Sequence, residues 1–229
     1  MKAKGIITVL LALCLACGAS AQKFEPRQTW PYLLEEFTLG SVRTSAGVVI
    51  RDEAFLNVSI PDGRLHYIQN GKIMAADMTQ VYTVLIGKDV FMNRGGRLEQ
   101  VLYEGDGALL LKKTEVDMVK LSKSDIGYGV SSATASTQKL TGLGAEGMLI
   151  NMDFSTAIEN AKTGEYLPLD ESYSFLVKGK EIPAKKADFL ALEGLDHAGA
   201  KAFLKEQKIK WNKPLDLVKV LDYITANLK

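Results

Sequence analysis

The chain has 229 residues, with 28 lysines and arginines against 27 aspartates and glutamates and a formal charge of +1. That balance excludes the positive footprint by which proteins bind nucleic acid. Hydrophobic residues make up 47% of the chain, enough for one sizeable core or two small ones, and with only two histidines and two cysteines there is little material for a metal or nucleophile constellation.

The first stretch reads as an export signal. Lys2 and Lys4 form a basic leader, Ile6 to Ala16 an apolar core, and Ala19-Ser20-Ala21 an A-x-A cleavage site. Residues 1–21 are therefore predicted to be removed, leaving a mature chain that begins at Gln22. The apolar run is too short to span a membrane, and no transmembrane helix is expected in the mature chain. A competing reading takes Cys17, after Leu15-Ala16, as a lipid-anchored cysteine, but Cys14 stands where an aliphatic residue is wanted. Both cysteines lie inside the signal, so the mature chain has no thiol, disulfide or cysteine metal site. Loss of Lys2 and Lys4 leaves 26 basic residues against 27 acidic ones, a charge of −1. The expected location is periplasmic or extracellular.

Gln22 to Glu36 is a lead-in whose aromatic residues Trp30 and Tyr32 flank Pro31. The expectation is that they pack across an open end of a sheet, and the alternative is an exposed aromatic platform for a ligand.

Phe37 to Leu121 alternates short apolar and polar segments between turn residues and reads as one continuous antiparallel meander of about eight strands. Within Val48 to Ile60, the residues Ala54, Leu56, Val58 and Ile60 fall on one face and Asn57 and Ser59 on the other, the period of two expected of a strand with one face buried and the other toward solvent. Pro61-Asp62-Gly63 turns the chain, because proline presets φ, aspartate bonds its own backbone and glycine accepts a positive φ. Asn70-Gly71 between Arg64–Gln69 and Lys72–Asp77 is the strongest two-residue hairpin signal. Val81–Ile86, Val90–Asn93, Leu98–Tyr103 and Ala108–Lys113 continue the pattern, separated by Gly87-Lys88-Asp89, Arg94-Gly95-Gly96 and Glu104-Gly105-Asp106-Gly107.

Ser122 to Gly147 is rich in Ser, Thr, Ala and Gly, lacks an apolar period and reads as a mobile loop. Its one large aromatic, Tyr128, either folds back onto the sheet or contacts a partner. Gly142 to Gly147 spells G-x-G-x-x-G, but no buried strand precedes it, so the dinucleotide fingerprint lacks its context. Ser136 to Lys139 (S-x-x-K) and Lys162-Thr163-Gly164 (K-T-G) lie too close together for the serine β-lactamase arrangement.

The region 148–229 resumes at Met148 to Ile158 and is predicted to hold a hairpin, Tyr173–Val177 turning at Gly179-Lys180 into Glu181-Ile182-Pro183, followed by three helices. Ala184–Leu192 is the first and ends at Gly194. The second is capped by Asp196 and carries Ala200, Phe203 and Leu204 as its apolar stripe. The third is capped by Asn212, has Pro214 in its first turn and turns Leu215, Val218, Leu221, Tyr223, Ile224 and Leu228 inward. Lys201, Lys205 and Lys208 share one face of the second helix, read as a solvated face with an anionic-lipid contact as the alternative. The fold class is α+β, a curved antiparallel sheet or partial barrel over 22–121, the loop 122–147, and a C-terminal region ending in helices.

Several segments together carry a resemblance. Phe37-Thr38-Leu39-Gly40-Ser41-Val42, Val84-Leu85-Ile86-Gly87 with Phe91, the Gly-Tyr-Gly at 127–129, and Ser174 to Lys180 running into Phe203 to Ile209 and Pro214-Leu215-Asp216-Leu217 resemble a widespread set of small secreted proteins from Bacteroidota. The resemblance covers most of the mature chain, with its most specific part at the C-terminus. It implies export and supplies no catalytic residue.

Three functional classes follow, in order of preference: an exported non-enzymatic protein that binds a partner or ligand in the cell envelope, a carrier of a lipid-like ligand in a sheet cavity, and a hydrolase built on a carboxylate pair. His66 and His197 have no motif partners. No catalytic residue, cofactor or metal is predicted. Trp30, Tyr32 and Tyr128 are the positions offered for ligand contact.

Overall fold

The computed structural model describes residues 24–123 and 152–228. The predicted signal, Tyr128 and most of the Ser/Thr/Gly stretch, with its motifs, lie outside them.

All eight meander strands are present: β1 (Thr38–Arg43), β2 (Val49–Val58), β3 (Leu65–Gln69), β4 (Lys72–Ala75), β5 (Thr83–Ile86), β6 (Asp89–Arg94), β7 (Arg97–Gly105) and β8 (Ala108–Val116). The predicted hairpin supplies β9 (Leu169–Val177) and β10 (Lys180–Pro183). The ten strands form one antiparallel sheet in the order β10-β9-β8-β7-β6-β5-β1-β2-β3-β4. β9 joins through nine register pairs with β8, so the late hairpin extends the sheet begun by the meander.

The meander is not continuous, however. β4 does not pair with β5, which returns across the end of the sheet to lie on the other side of β1. The free edge of β4 is occupied by a different segment, with Ile73 N–H donating to the Met152 carbonyl and Phe154 N–H to that of Gly71. The crossing segment drops Met78 and Val81 into the core, and the Asn93 amide fastens it with bonds of 2.7 Å to the carbonyls of Met78 and Val81. Gly40 makes the return possible. A Cβ there would lie 2.1 Å from the Leu85 carbonyl oxygen, so only glycine lets β1 and β5 approach.

The turn chemistry matches the sequence. Asp62 accepts from the Arg64 amide, and Asn70 and Gly71 both have positive φ. Gly63, at φ +69°, lies directly against the Arg97 side chain, and its carbonyl accepts from Leu98 N–H at 2.8 Å. That bond joins the β2–β3 turn to β7 and curls the sheet into a half-barrel.

The inner face of the curl holds one core, with Val42, Leu56, Val58, Leu65, Val84, Ile86, Phe91 and Leu98. The same face continues over β8–β10 as a second core, Leu110, Phe175 and Ile182 being register partners, and there the helices cover it. These are α3 (Lys186–Leu190), α4 (His197–Gln207) and α5 (Pro214–Asn227). Two more short helices, α1 (Met118–Lys123) and α2 (Phe154–Asn160), flank the stretch outside the described residues. Their apolar periods are too short to read from sequence.

Two helix details differ from expectation. Asp196 caps α4 as predicted, accepting from the Ala198 and Gly199 amides, but α5 begins after Lys213, with no side-chain cap, and Asn212 stays outside it. Leu215 points outward at 81% exposure, while Leu217, Val220, Leu221 and Ile224 form the buried stripe. The i, i+3, i+4, i+7 spacing of those four defines the inward face, and Leu215 lies well off it.

Candidate functional site

Trp30 and Tyr32 are core residues, 2% and 0% exposed, which removes the aromatic-platform alternative in this conformation and agrees with packing across the sheet. With Phe37 they form an edge-to-face triad, centroids 5.0–5.9 Å apart, closed on the far side by Phe154 and Ala157 of α2. The lead-in is stitched to β2 by Leu33 N–H to the Val58 carbonyl and Ile60 N–H to the Pro31 carbonyl.

This arm changes the fate of the polar face of β2. Asn57 and Ser59, expected to face solvent, are fully buried beneath it together with His66. The Asn57 amide donates to the carbonyls of Leu34 and Glu36 and accepts from the Leu34 amide, so it serves as the arm's fastening. The polar alternation of β2 was legible in sequence, but the arm that covers it was not.

His66 bonds the Tyr32 hydroxyl through Nδ1 at 2.9 Å, while its Nε2 has no partner. Burial pushes the imidazole down to about 4, with smaller effects from Asp62, which raises it, and Arg64, which lowers it. It is therefore neutral at ordinary pH and sealed from solvent, which suits structural hydrogen bonding and denies it access to a substrate. His197, the other histidine, is exposed at the start of α4, far from it in sequence.

A second polar group occupies the outer face of β6–β8 and reaches β10. Arg94 pairs with Glu181 at 3.1 Å, Arg97 with Glu115 at 3.5 Å and Lys113 with Glu115 at 2.8 Å. The Arg94–Glu181 pair joins strands four places apart in the sheet. At about 4.8 Å per strand a flat sheet would set their backbones roughly 19 Å apart, so the pair marks strong coiling. Glu99 lies nearly buried in this group, and its carboxyl is held above the usual range by burial first and then by the charge of Glu181. A raised carboxyl among ionised ones is the signature of acid–base sites. Here the neighbouring acids are neutralised by cations, and no group of described residues could hold a metal ion.

The inner face offers no room for a large ligand between Leu33, Val58, Phe91, Leu98, Gln100 and Lys112, where a cleft of about 10 Å³ admits a single water. On the outer face the picture is different. Phe55, Leu39, Leu85 and Val90 sit on four consecutive strands, β2, β1, β5 and β6, and are exposed between 37% and 51%. Leu39 is the register partner of Phe55, and Leu85 that of Val90. Leu85 also pairs with Ser41, two residues along the same face from Leu39, so the four make one apolar row. Sequence reading missed it because each residue belongs to an ordinary strand alternation, and β5 joins β1 only through the crossing. Among the described residues no helix is long and apolar enough to cross a membrane. Comparison of the chain with protein-family models, curated proteins and solved structures finds no match.

Proposed function

We propose that the chain is an exported, non-enzymatic protein that binds a partner of the cell envelope through the outer face of its sheet. The apolar row Phe55–Leu39–Leu85–Val90 carries the reading. Large apolar side chains aligned on neighbouring strands and left open to solvent mark contact surfaces. Export rests on the basic leader, apolar core and A-x-A site of residues 1–21. The sealed imidazole of His66 and the paired acids around Glu99 support the absence of catalysis.

The carrier alternative needs an enclosed space of roughly 300 Å³ or more, and the inner-face cleft falls far short. A photoreactive side chain placed at Leu85 in cells tests the main reading. The expected result is a discrete envelope adduct that disappears when Phe55→Lys is added. Absence of an adduct, or one indifferent to Phe55→Lys, sinks it, and a lipid retained in native mass spectra favours the carrier.

A further inference from the structure

The corner between α4 and α5 concentrates positive charge in a chain that is otherwise balanced. Lys201, Lys205 and Lys208 run along one side of α4 and its end, and Lys210 and Lys213 continue the series through the turn into α5. All five are exposed, and from residue 201 to 213 the one acid among them is Glu206. Asp216, the next acid, is already engaged by the Lys210 amide at 3.1 Å and the Lys219 ammonium at 3.4 Å. With the further bond from Lys213 N–H to the Lys210 carbonyl, the turn is held in shape.

Apolar groups share the corner. Leu215, in the first turn of α5, is 81% exposed, more than any other large apolar residue described. Trp211 is half-buried, its ring 6.0 Å from that of Phe189, so it stands at the boundary between core and surface. Lysines around a protruding leucine and a boundary tryptophan are the composition of a protein face that lies on a lipid surface.

We infer that this corner seats the protein on an anionic bilayer surface, with Lys205, Lys210 and Lys213 against lipid headgroups and Leu215 entering the acyl boundary. Charge complementarity selects an anionic surface. The exposed leucine selects lipid over a dissolved polyanion, for which it would have no use. Every cation here is lysine, a point charge that suits a diffuse negative surface better than the forked, bidentate contacts arginine makes with single phosphates. The inference is independent of the outer-face row, which belongs to another part of the sheet.

Sedimentation of the mature protein with vesicles tests it. Binding is expected to vesicles of phosphatidylglycerol and phosphatidylcholine and not to phosphatidylcholine alone, and it should weaken as salt is raised. At about fivefold per lysine, Lys205→Gln/Lys210→Gln/Lys213→Gln should lower partitioning about a hundredfold. Leu215→Asp should also lower it, and brominated acyl chains should quench Trp211 in a Trp30→Phe background. Because these lysines and Leu215 are exposed, the variants should melt with the parent. Failure to bind anionic vesicles at low salt overturns the inference. So does binding indifferent to the lysine variants, or binding to vesicles and heparin alike that Leu215→Asp leaves unchanged.

Discussion

The two halves of the sheet bury their faces by different means. Over β8–β10 the inner face is covered by α3–α5, and the core is apolar throughout, with Phe175, Phe189, Leu217, Leu221 and Ile224 at its centre. Over β3, β4 and the end of β2 the outer face is covered by the lead-in arm and α2, and the layer between includes Asn57, Ser59 and His66. A helix satisfies its own backbone and can lie on a sheet through apolar contacts alone. An irregular arm leaves amides and carbonyls unpaired, and buried side chains on the strand beneath must meet them. The first cover should therefore respond to cavity formation and the second to hydrogen bonding and pH.

The largest expected effect lies in the helical half. Phe175→Ala should cost about 3–5 kcal/mol by denaturant unfolding and should do so equally at neutral and mildly acidic pH. A strongly pH-dependent loss would erase the contrast. At the junction of β1 and β5, Gly40→Ala should cost about 3 kcal/mol, because the added methyl meets backbone that no rotamer can move. A near-neutral result would show that the crossing strand pairs more loosely than its register implies.

For the arm-covered half, His66 sets the pH dependence. Its folded value, about 4, lies below the ordinary 6.5, so acid protonates the unfolded chain first. Stability is expected to be full above about pH 6.5, to fall as pH drops toward 4 and then to level, with a total loss of about 3 kcal/mol. Unfolding free energies measured across that window check it, and His66→Gln should flatten the profile. An unchanged slope in the variant would assign the loss to other groups.

Glu99 gives the smallest effect and the opposite sign. Its folded value is raised, so the stability associated with its protonated form is present below the ordinary carboxylate range and is lost as pH rises through the folded value. Glu99→Gln should match the parent in acid and exceed it slightly at neutral pH. A loss at neutral pH would mean that the ionised carboxylate supports the Arg94–Glu181 pair.

By itself the sequence determined the fold class, the eight strands of the meander, the late hairpin and the three C-terminal helices, because alternation, turn residues and helical stripes are local signals. Asn70-Gly71, Asp62 and Asp196 act where their chemistry placed them. Only the tertiary structure decided which strands are neighbours. The return of β5 to β1 depends on an edge already taken by residues 152–154 and on the missing side chain of Gly40, neither of which leaves a periodic trace. The same holds for the surfaces. Asn57, Ser59 and His66 look like solvent-facing strand residues until an arm from before β1 lies over them, and the row from Phe55 to Val90 exists only once β1 and β5 are paired. Burial depends on what covers a face, and the covering segments come from distant parts of the chain.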